Sequence, residues 1–215
     1  MTRRTMRPYV LAANFRVAQP DRVWTVLQRY SESLVDVGAD YVCLFRSTLD
    51  PQRVLVTIGI HTEQPILNQS RSPYLLDWFD AMGVDDVPAV FIGRSVDRFE
   101  IGGDPTSPAP TIVVAAVTPV DDVVTFVNHV RRSTDEFRAA GIQRTLVYRA
   151  FDDDGEVMFL QQLVDKDHAQ RWAQRSDVAA EWLAQAGIGA YPPVFVGELQ
   201  HIVRFPDSSW TESRR

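Results

Sequence analysis

Apolar positions along this chain change period in a fixed order, and the order is run through twice. Tyr9-Val10-Leu11-Ala12-Ala13-Asn14-Phe15-Arg16-Val17 is a nearly continuous apolar run of strand length. Pro20 follows, suited to the first turn of a helix, where a missing N–H leaves nothing unsatisfied. Apolar residues then recur at helical spacing at Val23, Val26, Leu27, Tyr30, Leu34 and Val37. Gly38 closes that helix, because glycine enters the left-handed cap without a steric penalty. Residues 41–46 and 53–60 flank Leu49-Asp50-Pro51-Gln52, a turn composition that predicts an antiparallel hairpin. Ser72-Pro73 reads as a cap and a first-turn proline, so a second helical segment runs from there to Gly83. A last strand is expected near residues 96–101, after the Pro88-x-Val90-Phe91-x-Gly93 element.

The second pass repeats each step. Thr111 to Val117 answers the first strand, and Pro119 answers Pro20. Thr118, with Asp121 three residues on, resembles a capping box. Val123, Val127, Val130, Phe137 and Ala140 carry the helical period, and Gly141 ends it. Residues 145–149 and 157–164 flank Asp152-Asp153-Asp154-Gly155, a helix breaks near Ser176, and residues 201–205 are the last strand. Residues 71–93 laid over 175–197 match without a gap at 8 of 23 positions, among them Trp78/Trp182, Gly83/Gly187, Phe91/Phe195 and Gly93/Gly197. With small shifts the match continues upstream through Arg46/Arg149, Gly38/Gly141 and Pro8/Pro110, setting Asn14 against Ala116. Internal repetition of this kind decides the fold class: α+β, two tandem ferredoxin-like βαββαβ units. Helices on one face leave the other sheet face to be covered, so the two copies are expected to close into an intramolecular dimeric α/β barrel. The repeats span residues 8–101 and 110–206, and the Gly/Pro/Ser-rich residues 102–109 are the linker.

Charge and cysteine usage narrow the function classes. A net charge of −6 lacks the basic face that phosphates require, so no nucleic-acid partner is expected. The single cysteine, Cys43, permits neither an internal disulfide nor a paired zinc site. No apolar stretch approaches the ~20 residues of a membrane span, and the N-terminal arginines precede no apolar signal core. A cytoplasmic protein with no membrane partner is therefore expected. None of His61, His129, His168 and His201 recurs between copies or forms a ligand pair at helical spacing, so no metal is expected. His129, among polar neighbours on a helix, is expected at the surface.

On these residues the chain resembles the dimeric α/β barrel superfamily, the group of antibiotic-biosynthesis monooxygenases and their heme-degrading relatives. Ala13-Asn14-Phe15-Arg16 looks like the strand that carries an asparagine in the heme-degrading branch, and Trp172-Ala173-Gln174-Arg175-Ser176-Asp177-Val178 like the helix that carries its tryptophan. The resemblance implies a fused pair of subunits that binds an organic molecule between helices and sheet, several members oxygenating it without metal or flavin. It would place a heme-ligating histidine ten residues after that tryptophan, where this chain has Trp182. No cofactor is accordingly expected.

The candidate ligand-binding residues are Asn14, Arg46, Trp78, Arg149, Trp172 and Trp182. Asn14 is a polar residue in mid-strand, expected to face the helix layer, where an amide needs a partner to offset its desolvation. Arg46 and Arg149 follow aromatics at strand ends, where each is either paired with a carboxylate or available to a substrate anion. The tryptophans are either core or aromatic walls of a site. No catalytic residue is assigned. The leading reading is a small-molecule-binding protein acting as a cofactor-independent monooxygenase on an aromatic or polyketide-like substrate. A non-catalytic ligand-binding or scaffolding protein comes second, and a heme-binding relative third. The two halves are expected to be unequal, and further association of tandem chains into a homo-oligomer is left open.

Overall fold

The computed structural model describes residues 9–36, 38–61, 73–84, 86–102, 111–174, 182, 184–186 and 193–205. The readings placed on Pro8, Val37, Ser72, Pro110, Arg175, Ser176, Gly187 and linker residues 103–109 lie outside these. The described elements are β1 (Tyr9–Arg16), α1 (Pro20–Arg29), α2 (Ser31–Asp36), β2 (Ala39–Ser47), β3 (Arg53–Ile60), α3 (Pro73–Met82) and β4 (Ala89–Glu100). They continue as β5 (Ile112–Pro119), α4 (Val123–Arg132), α5 (Thr134–Ala139), β6 (Ile142–Ala150), β7 (Glu156–Leu163), α6 (Lys166–Gln174) and β8 (Phe195–Arg204). Strand, helix, hairpin, helix, strand occurs twice. The class is α+β, and the chain is two tandem ferredoxin-like repeats.

Three local expectations change. The helix read as continuous up to Gly38 is two helices, because Tyr30 leaves helical geometry at φ −94°, ψ 12° and shares its N–H between the Val26 and Leu27 carbonyls. Ser133 breaks the second repeat in the same way, its hydroxyl donating to the His129 carbonyl at 3.0 Å. The cap of α4 is Asp122, whose Oδ2 accepts from Thr125 N at 2.6 Å; Thr118 belongs to β5 and caps nothing. Strands β4 and β8 begin earlier than expected, taking in Val90-Phe91 and Phe195-Val196, since branched and aromatic residues suit a pleated surface.

The duplication is written into the backbone hydrogen bonds. Val17 N donates to Gln52 O as Val120 N does to Gly155 O, and His61 N to Gly38 O as Val164 N does to Gly141 O. Both β2 and β6 shift register at one place, between Ala39 and Tyr41 and between Ile142 and Arg144. Near the end of each repeat, Ile101 N donates to Gln143 O and Phe205 N to Asp40 O. These pairs fix the equivalences: Tyr9 with Ile112, Tyr30 with Ser133, and Ile101 with Phe205. They also correct one reading, because Asn14 pairs with Leu55 where Val117 pairs with Met158. Val117, not Ala116, stands at the position of Asn14.

Contacts group the chain into two compact units, residues 1–46, 51–92 and 200–215 in the first and 47–50 and 93–199 in the second. The first unit has the strand order β4–β1–β3–β2–β8, the second β8–β5–β7–β6–β4. Strands β4 and β8 each begin in one unit and end in the other. Within the second unit, Ile112, Val114, Ala116, Val157, Phe159 and Leu163 bury one sheet face against Phe126, Val130, Phe137 and Trp172 of the helices. Within the first unit, Phe15 meets Phe79 of α3 edge-on at 5.4 Å, which puts Leu11, Ala13 and Phe15 on the helix side. By the same alternation Asn14 lies on the opposite face, contrary to expectation.

Gly141 (φ +82°) is required twice over, since a Cβ there would stand 2.5 Å from His168 Cδ2, whereas Gly83 (φ +68°) has open space. Gly83→Ala should cost about 1 kcal/mol of backbone strain. Gly141→Ala should lower the urea midpoint clearly further, as measured by equilibrium unfolding; equal losses would show that the His168 ring yields freely.

Candidate functional site

The layer between helices and sheet in the second unit is filled by aromatic rings with a few built-in polar contacts. Trp172, buried on α6, donates from Nε1 to Gln161 Oε1 at 2.7 Å. Trp182 donates to Ser133 Oγ at 2.8 Å, and its ring lies 5.4 Å from Phe137, 6.0 Å from Phe126 and 6.2 Å from Phe159. His129, expected at the surface, is half-buried. Its ring sits 5.1 Å from Trp182, and its Nε2 is buried with no hydrogen-bond partner among the described residues. Burial and the charge of Arg132 hold its imidazole below the ordinary pKa, a backbone interaction with Trp182 opposing them. Thr145, on β6, likewise buries its hydroxyl without a partner among the described residues. Trp172 and Trp182 are thus brought together around Phe137. The place where the resemblance puts an iron ligand is occupied by Trp182, bound to Ser133 and enclosed by phenyl rings, and this does not fit a heme.

The first unit fills the same layer differently. Trp78 is buried beside Tyr30 at 5.7 Å, a ring contact where the second unit has the Trp182–Ser133 hydrogen bond. At the other end of the layer a groove of about 300 Å³ opens between α1, α2, β2 and β8. Trp24, Leu27, Leu34, Val42, Val203 and Phe205 give it apolar walls, and Gln28 and Ser31 are its polar lining residues. Trp24 is stacked on His201, with ring centroids 4.7 Å apart and planes 12° from parallel. Among the described residues no charged side chain lines the groove.

None of the six sequence candidates lines it either. Arg46 bonds Pro51 O at 3.0 Å and Asp21 at 3.3 Å, and Arg149 pairs with Asp154 at 3.1 Å, so each guanidinium engages the hairpin turn beside it. Asn14 lies on the face away from the helices, its Oδ1 buried and without a partner among the described residues. The groove was not found from sequence because it joins positions as distant as Trp24 and Phe205. The apolar Trp24 beside a polar Gln28 on α1 was the available signal.

No family model matches the chain, and no curated protein matches it. Solved structures do. An anthrone oxidase-like protein superposes with TM-score 0.68 over 93% of this chain and 94% of its own, at 8% identity. A ferredoxin-fold protein of Listeria monocytogenes related to antibiotic biosynthesis monooxygenases gives 0.50 over 91% and 96%, at 9% identity. A heme-binding protein of Thermus thermophilus gives 0.51 over 91% and 92%, at 12% identity. The likeness is one of fold, a ferredoxin-like α+β unit used twice. The second unit's helix-side layer is packed with aromatics and the first unit's is grooved. Among the described residues no helix is long and apolar enough to cross a membrane.

Two measurements probe the packed layer. Trp172→Phe leaves the buried Gln161 amide oxygen without its donor, at a cost of about 1–3 kcal/mol. The repeat equivalent of Gln161 is Ile58, so adding Gln161→Ile to Trp172→Phe should recover much of that loss in urea unfolding; no recovery would show that the loss came from packing alone. For His129, a folded-state pKa below the unfolded one means that the unfolded chain takes up the proton first. Stability should therefore fall as pH drops below about 6.5. His129→Val, which copies Val26 of the first repeat, should flatten that dependence; an unchanged pH profile would assign it to other groups.

Proposed function

We propose that this chain is a cytoplasmic small-molecule-binding protein whose ligand occupies the first-unit groove. The observation that carries the reading is the groove itself: concave, about 300 Å³, six apolar walls and two neutral hydrogen-bonding side chains. Its volume lies at the lower end of the roughly 300–1,000 Å³ usual for organic ligands, and apolar walls with a few placed polar groups are what such sites consist of. Flat rings suit it, since Trp24 and Phe205 offer aromatic faces and edges. Asn14 stays a candidate for a separate contact, because a buried amide oxygen without a partner carries a desolvation cost that a ligand donor would remove.

Cofactor-independent oxygenation of an aromatic or polyketide-like substrate is the second reading. It is favoured by the likeness to the anthrone oxidase-like protein over nearly the whole chain. Such a reaction inserts one oxygen atom of O₂ into the substrate and releases the other as water, both electron pairs coming from the substrate. It asks the site to hold a substrate anion, for which Gln28 and Ser31 are the neutral donors lining the groove. The groove's lack of a charged lining residue is why binding stands first.

A thermal-shift screen of two- and three-ring phenols, quinones and anthrones should find stabilising ligands. Trp24→Ala should abolish the shift, and Trp182→Phe should leave it in place relative to its own baseline. Retention of binding in Trp24→Ala would move the site elsewhere. Oxygen consumption with any bound anthrone or phenol, absent in Trp24→Ala, decides for the oxygenase reading; its absence leaves the binding protein.

A further inference from the structure

The two repeats offer the same groove position, open in the first and, among the described residues, occupied by larger side chains in the second. Register equivalence sets Gln28 against Arg131, Leu34 against Phe137, Val42 against Thr145, Val203 against Phe99, and Phe205 against Ile101. In the second unit larger or charged side chains stand at most of these positions, whereas Leu34 and Val42 of the first are buried at the floor of the groove. Phe137 is completely buried, Ile101 is part of the core, and Phe99 packs against it. Arg131 lies over the Phe99 ring at 5.8 Å and bonds Asp97 at 3.0 Å, so a guanidinium closes the rim where the first unit has a neutral Gln28. Thr145, whose counterpart Val42 lines the open groove, has a buried hydroxyl with no partner among the described residues. A hydroxyl left so is what a covered lining position retains, because nothing in the packed core replaces the donor or acceptor that an occupant would supply.

We infer that the chain holds one ligand, in the first half, and that residues 28, 34 and 203 decide this by leaving open the groove that Arg131, Phe137 and Phe99 close in the second half. The inference rests on the small-molecule reading and narrows it. The ligand is neutral, largely apolar, of two or three fused rings, with one group that hydrogen-bonds to Gln28 or Ser31. A carboxylate or phosphate finds no cation in the groove lining and would have to lose its hydration.

The test exchanges the deciding residues between halves and reads occupancy by methyl NMR with 1-naphthol as the probe. In the unmodified chain, methyls of Leu27, Val42 and Val203 should shift on titration, those of Val130 and Ile101 should stay, and calorimetry should give one site. Val203→Phe, and independently Leu34→Phe, should weaken binding by about tenfold or more, the range in which a pocket rejects excess bulk. Phe99→Val with Arg131→Gln should bring a second site and make the Val130 and Ile101 methyls respond. Shifts in both halves of the unmodified chain, or affinity indifferent to both closing substitutions, would overturn the inference while leaving the binding reading intact. No shift anywhere in the unmodified chain would overturn both. Naphthalene-1-sulfonate should bind far more weakly than 1-naphthol, and equal affinity would overturn the neutral-ligand assignment.

Discussion

Everything distinctive in this chain follows from how the space between the helices and the sheet is filled. A sheet and a helix pair of fixed backbone geometry leave a layer that side chains from several elements must occupy at crystal-like density. The hydrogen-bond ladders of the two repeats are equivalent at Gly38 and Gly141, at the bulges and at the ends of the long strands, so the layer has the same frame in both. What differs is volume. Phe137, Phe99 and Trp172 fill the second layer, and fully burying a side chain of this kind contributes about 1.5–3 kcal/mol. With Leu34 and Val203 at the corresponding places, the first layer leaves a groove whose floor residues Leu27, Leu34 and Val42 are buried and whose rim residues Trp24, Val203 and Phe205 are half-buried.

Polarity follows the same division, in the opposite sense at depth. The second unit's core carries Gln161, Ser133, His129 and Thr145 where the first has Ile58, Tyr30, Val26 and Val42. Two of those groups are matched, each to an indole N–H, and each bond contributes on the order of 1 kcal/mol net while orienting its ring. The tryptophans therefore hold position through a directional contact as well as by burial. The first unit's Trp78 has ring contact with Tyr30 in place of the Ser133 bond, so shape fixes it there. A large aromatic is consequently a poor guide to function in this fold, since the same residue at equivalent positions is set by different forces.

These differences explain what the residues could and could not announce. Period changes along the chain, Pro20, Gly38 and Gly141 are local signals, and they placed the strands, the helices and the repeat because the backbone itself demands them. The position opposite Asn14 was legible only to within one residue: Ala115, Ala116 and Val117 are interchangeable to a comparison of letters, whereas the pairing of Val117 with Met158 is not. A one-residue slip reverses the face of a strand residue, and with it the whole argument about which layer an amide serves. The groove was less legible still. Trp24 and His201 meet face to face across nearly the full length of the chain, and neither repeats a residue type in the other half.

A tandem chain also removes a restriction that binds a pair of identical subunits. In a homodimer every residue that opens a groove opens two, and every residue that closes one closes both. Here Phe99 and Val203 are separate choices, so one half can take the larger side chain while the other keeps a groove. Natural chains hold little stability in reserve, and an unfilled layer is a standing loss that denser packing would recover. Its persistence in the first unit, beside a second unit that shows how readily the same frame is filled, is the strongest physical reason to treat the groove as a site instead of a packing defect. Closing the first groove should raise stability and lower ligand affinity together, whereas a mere packing defect would show the first effect alone.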